Sequence, residues 1–307
     1  MKVSIIGSGA VGSTTAFSLA KTDYIDELSL VDLDQKRAKG NALDILHGLS
    51  LSHAVKINYG DYEQTANSDI IVITVGVPEK VGESRLVPLQ RNATILQAII
   101  PKITHYSPKG IILMVSNPVD ILTYFAYKIS GWPAQRVIGL GTMLDTARLN
   151  WLLSRDYGVA QTAVHGLIIG EHGDSQVVAW SQTSVAGTQF DTYVAGNKLT
   201  LATDYKATIA QQVKDTAFDV WKMKGPNAFC VALAIERVIQ AIVRDEQAIL
   251  PVSRPASKEG DCYISQPAVI GRQGAVRTVP LQLTSSEQAQ FTSSLQAVET
   301  VAAQIEL

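Results

Sequence analysis

The 307-residue chain carries 26 Lys or Arg against 28 Asp or Glu, a formal net charge of −2, which argues against a nucleic-acid-binding or membrane-surface protein. Its 46% hydrophobic and 18% charged residues are those of a globular chain, not a disordered one, and its apolar runs fall far short of the ~20 residues a membrane helix needs. Two cysteines, Cys230 and Cys262, are too few for a disulfide framework, and no secretory signal precedes Val3, so a reducing cytoplasm is the expected location.

In chain order, Val3 to Ile6 reads as a buried strand and Ala10 to Ala20 as a helix. Leu28 to Val31 is a second strand, followed by a helix over about Lys36 to His47 and a short strand, Val55 to Tyr59. Ile70 to Val75 and Ile111 to Val115 are strongly apolar strands, with helical patterns over Leu89 to His105 and Val119 to Ile129. Strands this apolar, alternating with helices, imply a parallel sheet covered on both faces, a doubly wound α/β domain. Further on, a helix near Asp145 to Tyr157 leads to a strand, Val164 to Ile169, and a polar stretch. Two long helical patterns follow, Tyr205 to Lys222 and Phe229 to Arg244, punctuated by Gly225-Pro226. Short strands near Ala248 to Val252, Ala268 to Ile270 and Val276 to Val279 precede an amphipathic helix from about Ser286. Strands and helices are segregated here, so the second half reads as α+β, with the division between residues 1–141 and 142–307.

Gly7-Ser8-Gly9-Ala10-Val11-Gly12 fits G-x-G-x-x-G, a weak pattern alone but a specific one between a strand and a helix. The glycines allow a tight turn, and the helix N-terminus offers free N–H groups to a pyrophosphate. Asp32 ends the next strand; a carboxylate there accepts from a ribose 2′-hydroxyl and repels a 2′-phosphate, which favours NAD over NADP. His172, in the glycine-flanked turn Gly170 to Ser175, is placed to exchange a proton near neutral pH. Asp145 and Arg148 lie three apart at a helix start. Such a pair is often only a surface salt bridge, but an acid beside a histidine fixes its tautomer, and an arginine offers a fork for a carboxylate. Gly76 to Pro88, which holds Glu79 and Arg85, is a candidate lid at the end of a parallel strand. Ser116 and Asn117 end the strand beside it, where an amide can meet a cofactor or a substrate hydroxyl.

In these motifs the sequence resembles the lactate/malate dehydrogenase family over nearly its whole length. The shared motifs are Gly7 to Gly12, the loop up to Arg91, Ser116-Asn117-Pro118-Val119-Asp120, Leu144 to Arg148 and Gly170 to Asp174, in the family's order. The wording of the last motif is nearest that of the bacterial L-lactate enzymes. The resemblance implies a Rossmann domain that binds NAD through Gly7, Gly9, Ala10, Val11, Gly12, Asp32, Gly76, Ser116, Asn117 and Val231. It makes His172 the acid/base, Asp145 its orienting partner, Arg148 the anchor of the substrate carboxylate and Arg85 the lid cation that polarises the carbonyl. No metal is expected. A homotetramer or dimer, acting in glycolysis or fermentation on a small 2-oxo or 2-hydroxy acid, is the implied setting.

Three positions depart from the family's lactate pattern. Glu79 stands where lactate enzymes carry Gln and malate enzymes Arg, and Asn227 replaces a pocket threonine. Asn150 replaces an arginine of the fructose 1,6-bisphosphate site, although His165 of that site is present. Glu79 would repel the distal carboxylate of oxaloacetate, so the sequence reads as an L-lactate-type 2-hydroxyacid dehydrogenase. The alternatives are an enzyme for 2-hydroxy acids with polar or cationic side chains, malate dehydrogenase, and a dinucleotide sensor without catalysis.

Overall fold

A computed structural model describes the chain apart from residues 52–53, 78–85, 198, 200, 258–259 and 307. The first half runs β1 (Lys2–Ile6), α1 (Ala10–Ala20), β2 (Glu27–Val31), α2 (Gln35–Leu49), β3 (Lys56–Gly60), β4 (Ile70–Ile73), α3 (Leu86–Tyr106), β5 (Ile111–Met114), α4 (Val119–Ser130) and β6 (Val137–Gly139). All six strands are parallel, in the order β3-β2-β1-β4-β5-β6. The sequence explains the double winding. Alternate residues of each strand face opposite sides, and both sides are apolar. Ile5, Leu30, Val72 and Leu113 pack on one face with Leu19 of α1 and Ala42 of α2. Ile6, Ile73 and Met114 pack on the other with Leu96 of α3 and Leu122 of α4. β1 and β4 are neighbours from which the chain winds in opposite directions, so a crevice opens at their carboxyl ends.

The second half contains α5 (Met143–Tyr157), β7 (Val164–His165), β8 (Ile168–Ile169), β9 (Val177–Val178), β10 (Ser184–Val185), β11 (Thr188–Gln189) and α6 (Phe190–Gly196). It continues with α7 (Tyr205–Lys224), α8 (Ala228–Val243), β12 (Ala248–Pro255), β13 (Tyr263–Gly271), β14 (Gly274–Thr278) and α9 (Ser285–Ala302). The α+β expectation needs two refinements. First, β12, β13 and β14 do not form a separate sheet; they continue the first sheet antiparallel from β6, giving nine strands. Gly139 permits the join, because a Cβ there would lie 2.7 Å from Ser253 Cβ and 2.4 Å from Thr123 Oγ1. Second, the single strand expected at Val164 to Ile169 is two strands in different sheets, β7 pairing with β10 and β8 with β9. Gly166 breaks it, its N–H donating to Asn150 Oδ1 at 2.7 Å instead of to a strand neighbour. Sequence patterning does not reveal β6, β9, β10, β11 or α6, which are too short to show a period. α8 lies on the α1 face of the sheet and α9 on the α4 face, which brings the last helix beside the crevice.

Candidate active site

The glycine loop is built as its spacing requires. Gly7 has φ +100°, and a Cβ at Gly12 would lie 1.9 Å from the Gly7 carbonyl oxygen, so the helix start and the strand end can approach only without side chains. A Cβ at Gly9 would meet nothing within 4 Å, which leaves open space at the N-terminus of α1. That helix has no side-chain cap and no acidic residue in its first turn, so its amides and its positive dipole end are available to an anion. Ala10 and Val11 form its first turn, and Val11 packs on the same core as Val231 of α8.

Asp32 reaches back to this loop. Its Oδ2 accepts from the Ser8 N–H at 2.6 Å, and its Oδ1 accepts from the Asp34 N–H at 2.9 Å and from Arg37 Nη2 at 2.8 Å. Burial pushes the carboxyl up, but Arg37 and the two amides outweigh it and hold Asp32 below the usual carboxylate range. An ionised acceptor thus stands beside the open helix terminus, and the residues present fit a dinucleotide with a free 2′-hydroxyl.

At the ends of β4 and β5, Ser116 Oγ donates to the carbonyls of Val75 and Ile73 and ties the two strand ends together. Asn92 of α3, which sequence reading did not single out, accepts from the Val77 N–H at 2.8 Å and donates to the Asn117 carbonyl at 3.3 Å. It faces Gly76, whose Cβ would lie 3.6 Å from Asn92 Oδ1, and so joins the Gly76 and Asn117 segments.

Three of the residues chosen for proton transfer and carboxylate binding meet. His172 Nδ1 lies 2.5 Å from Asp145 Oδ2, and Arg148 Nη1 donates to Asp145 Oδ1 at 2.8 Å. α5 supplies both partners because Asp145 and Arg148 fall one turn apart on one face. The Asp145 side chain is 3% exposed and that of His172 22%, so the acid is sealed while the ring reaches the cavity. Burial alone would lower the His172 pKa; the charge and hydrogen bond of Asp145 reverse this, and the pKa is raised above its ordinary value. Burial likewise pushes Asp145 up, but His172 and then Arg148 hold it below the usual carboxylate range. The pair therefore favours imidazolium beside carboxylate.

His172 and Asn117 line one cavity of about 570 Å³ with Val77, Leu89, Ile121 and Val301. A larger cleft of about 730 Å³ between α7 and α9 holds none of the chosen residues, so chemistry rather than volume selects the site. Asn227 Nδ2 donates to the Ala217 carbonyl of α7 at 2.8 Å, which joins α7 to α8, and the residues that line the His172 cavity include neither Asn227 nor Arg148. Glu79 and Arg85 lie outside the described residues. Among the described residues no cluster of three His, Cys, Asp or Glu side chains could hold a metal.

A histidine paired with a buried acid, in a chain that also folds a dinucleotide cradle, suits a nicotinamide-dependent dehydrogenase. Comparison with known proteins narrows the class. Residues 1–139 match the lactate/malate dehydrogenase NAD binding domain, and residues 142–306 match the alpha/beta C-terminal domain of the same family. An L-lactate dehydrogenase of Treponema denticola is 43% identical over 297 residues, covering 95% of this chain and 94% of the relative. One from Thermoanaerobacterium saccharolyticum is 40% identical over 309 residues, covering 100% and 99%. The crystal structure of a minor L-lactate dehydrogenase from Enterococcus mundtii superposes with a TM-score of 0.95 at 35% identity, over 100% of this chain and 98% of that one. The chain belongs to the lactate/malate dehydrogenase family.

Proposed function

We propose that this chain is an NAD-dependent L-lactate dehydrogenase that interconverts pyruvate and L-lactate. The observation that carries this reading is His172 held by Asp145 at 2.5 Å, with Arg148 on the same carboxylate, and His172 lining a cavity with Asn117 and Val77 from the ends of the parallel strands. The relatives quoted above are all lactate dehydrogenases, so the alternatives with malate or with cationic 2-hydroxy acids are not favoured.

The bound nicotinamide supplies or accepts the hydride. His172 carries a proton for the carbonyl oxygen on the ring nitrogen opposite Asp145. Asp145 fixes the tautomer by accepting from Nδ1 and stabilises the charged ring. Arg148 takes the substrate carboxylate in its fork, with one guanidinium nitrogen anchored on Asp145. Arg85, by the family resemblance, adds positive charge where the carbonyl oxygen becomes negative. Asp32 selects the coenzyme with an unphosphorylated ribose.

The same reading makes the protein a cytoplasmic homo-oligomer, a tetramer or a dimer, divided into residues 1–141 and 142–307. Both cysteines are free, and no described helix is long and apolar enough to cross a membrane. Phe17 of α1 and Phe229 and Leu233 of α8 are 53%, 68% and 63% exposed along one groove, an apolar face suited to a second copy. The test is NADH oxidation with pyruvate, oxaloacetate and 2-oxo acids bearing larger apolar or cationic side chains. Pyruvate should be preferred and the product should be L-lactate. His172→Ala should lose ~10²-fold or more in kcat while still binding NADH. A higher kcat/KM for oxaloacetate, or His172→Ala retaining most of its turnover, would overturn the reading.

A further inference from the structure

His172 meets charged groups from several elements. Asp145 and Arg148 approach from α5, and Asp120 from α4. Glu171 and Asp174 flank it on its own loop, where Lys214 of α7 donates to the Asp174 carbonyl at 2.6 Å. Asp120 has no part in the mechanism above. It is 2% exposed, in the first turn of α4. Its Oδ2 accepts the backbone N–H of His172 at 2.8 Å, and its Oδ1 accepts the hydroxyl of Ser265 at 3.1 Å. Ser265 also exchanges two backbone hydrogen bonds with Gly170, at 2.9 and 3.1 Å. From α9, Ser294 Oγ accepts the Glu171 N–H at 2.8 Å and shares a hydrogen bond with the Ser175 hydroxyl at 2.9 Å. The catalytic turn is thus pinned from β13, α4 and α9.

Pinning alone does not call for a charge. An Asn at 120 could accept from the same N–H and donate to a serine hydroxyl without the desolvation cost of a buried anion. Burial pushes the Asp120 carboxyl up to about 6, against the pull of the Ser253 and Ser265 hydroxyls and of His172. The other titratable neighbour, Cys262, is pushed up to about 12, mainly by burial, with Asp120 and Glu299 of α9 adding to it, so it stays neutral. The charge that gains from an anion at 120 is the His172 imidazolium.

We propose that Asp120 is a positioning residue for His172, fixing the main chain of the proton donor and acting as a second buried anion that favours its charged ring. This rests on the dehydrogenase reading above. His172 is read directly, without coenzyme, by its rate of carbethoxylation with diethylpyrocarbonate at a series of pH values, followed by peptide mass spectrometry. Only the neutral ring reacts, so the midpoint reports its ionisation. In Asp120→Asn the midpoint should move to lower pH by about half a unit to one unit. The falling limb of kcat/KM for pyruvate, with NADH saturating, should move with it, and the melting temperature should not fall. Asp120→Ala, which also frees the His172 main chain, should lose a further ~10-fold in kcat that Asn restores. If Asp120→Asn does not fold, Asp120→Ser takes its place with the same outcomes. A folded variant whose midpoint and limb stay where the wild type has them overturns the proposal. Failure of the wild type to reduce pyruvate would overturn the dehydrogenase reading instead, and the carbethoxylation comparison would still decide the influence of Asp120.

Discussion

Asp145→Asn keeps the shape of the buried acid and removes its charge. In the wild type its two oxygens serve two donors, His172 at 2.5 Å and Arg148 at 2.8 Å. An amide has one oxygen, so its NH₂ must face one of them. If the oxygen stays with Arg148, the NH₂ donates to Nδ1 and fixes the neutral tautomer with its proton on the far nitrogen. That ring can hydrogen-bond a carbonyl but cannot release the proton without becoming an anion. A hydrogen bond to a charged group contributes about 1.5–3 kcal/mol, which is roughly one to two pKa units on His172. The His172 pKa is raised in the folded protein despite burial, chiefly by Asp145, and reduction needs the protonated ring. The wild-type rate should therefore be level at low pH and fall as pH rises through that raised value, and the fall in the variant should begin at lower pH. At neutral pH kcat/KM for pyruvate should drop on the order of 10²–10⁴-fold, while NADH affinity, read by fluorescence quenching, stays near wild type. Asp145 also contributes stability that is present at neutral pH and lost as pH falls through its lowered pKa, so the variant should lose part of its acid-dependent melting. A folded variant within about threefold of wild-type kcat/KM, with an unmoved limb, would refute the tautomer reasoning.

Arg148→Lys should raise KM for pyruvate by ~10²-fold or more with a smaller change in kcat, because an ammonium cannot hold both Asp145 and a substrate carboxylate; an unchanged KM would remove Arg148 from the substrate site. Asp32→Ser should weaken NADH use and admit NADPH, since Arg37, now 2.8 Å from Asp32, would be free to meet a 2′-phosphate; the check is kcat/KM for both coenzymes, and continued exclusion of NADPH would show that other groups select. Fructose 1,6-bisphosphate should leave KM for pyruvate unchanged, because Asn150 supplies no cation and spends its oxygen on the Gly166 amide at 2.7 Å; a large fall in KM would show that other residues build such a site. Leu233→Glu should shift the sedimentation of the protein toward a smaller species by placing a charge on the apolar α1–α8 face, and an unchanged species would put the contact elsewhere.

The parts of this protein written in the sequence are those whose determinants lie close along the chain. Gly7, Gly9 and Gly12 occupy neighbouring positions, so the turn and the open helix start follow from spacing. The all-apolar strands Ile70–Ile73 and Ile111–Met114 announce a sheet covered on both faces, because the period of a strand exposes every side chain to one face or the other. Asp145 and Arg148 share a helix face for the same local reason. Their meeting with His172 came from family resemblance, and only the fold shows the hydrogen bonds that realise it. Asn227 is named through family resemblance, and only the fold shows that its Nδ2 is held by the Ala217 carbonyl, because which way an amide turns at a helix junction depends on the acceptors around it. The split at Gly166 and the join of β12 to β6 at Gly139 depend on contacts across the chain that no periodicity records. Asp120 is the clearest case. In the sequence it is one acid in a helix's first turn, and only folding places it, with Ser265 145 residues away, behind the main chain of His172. Local geometry is set by neighbouring residues, whereas the burial that gives a carboxylate its strength is a property of the packed whole.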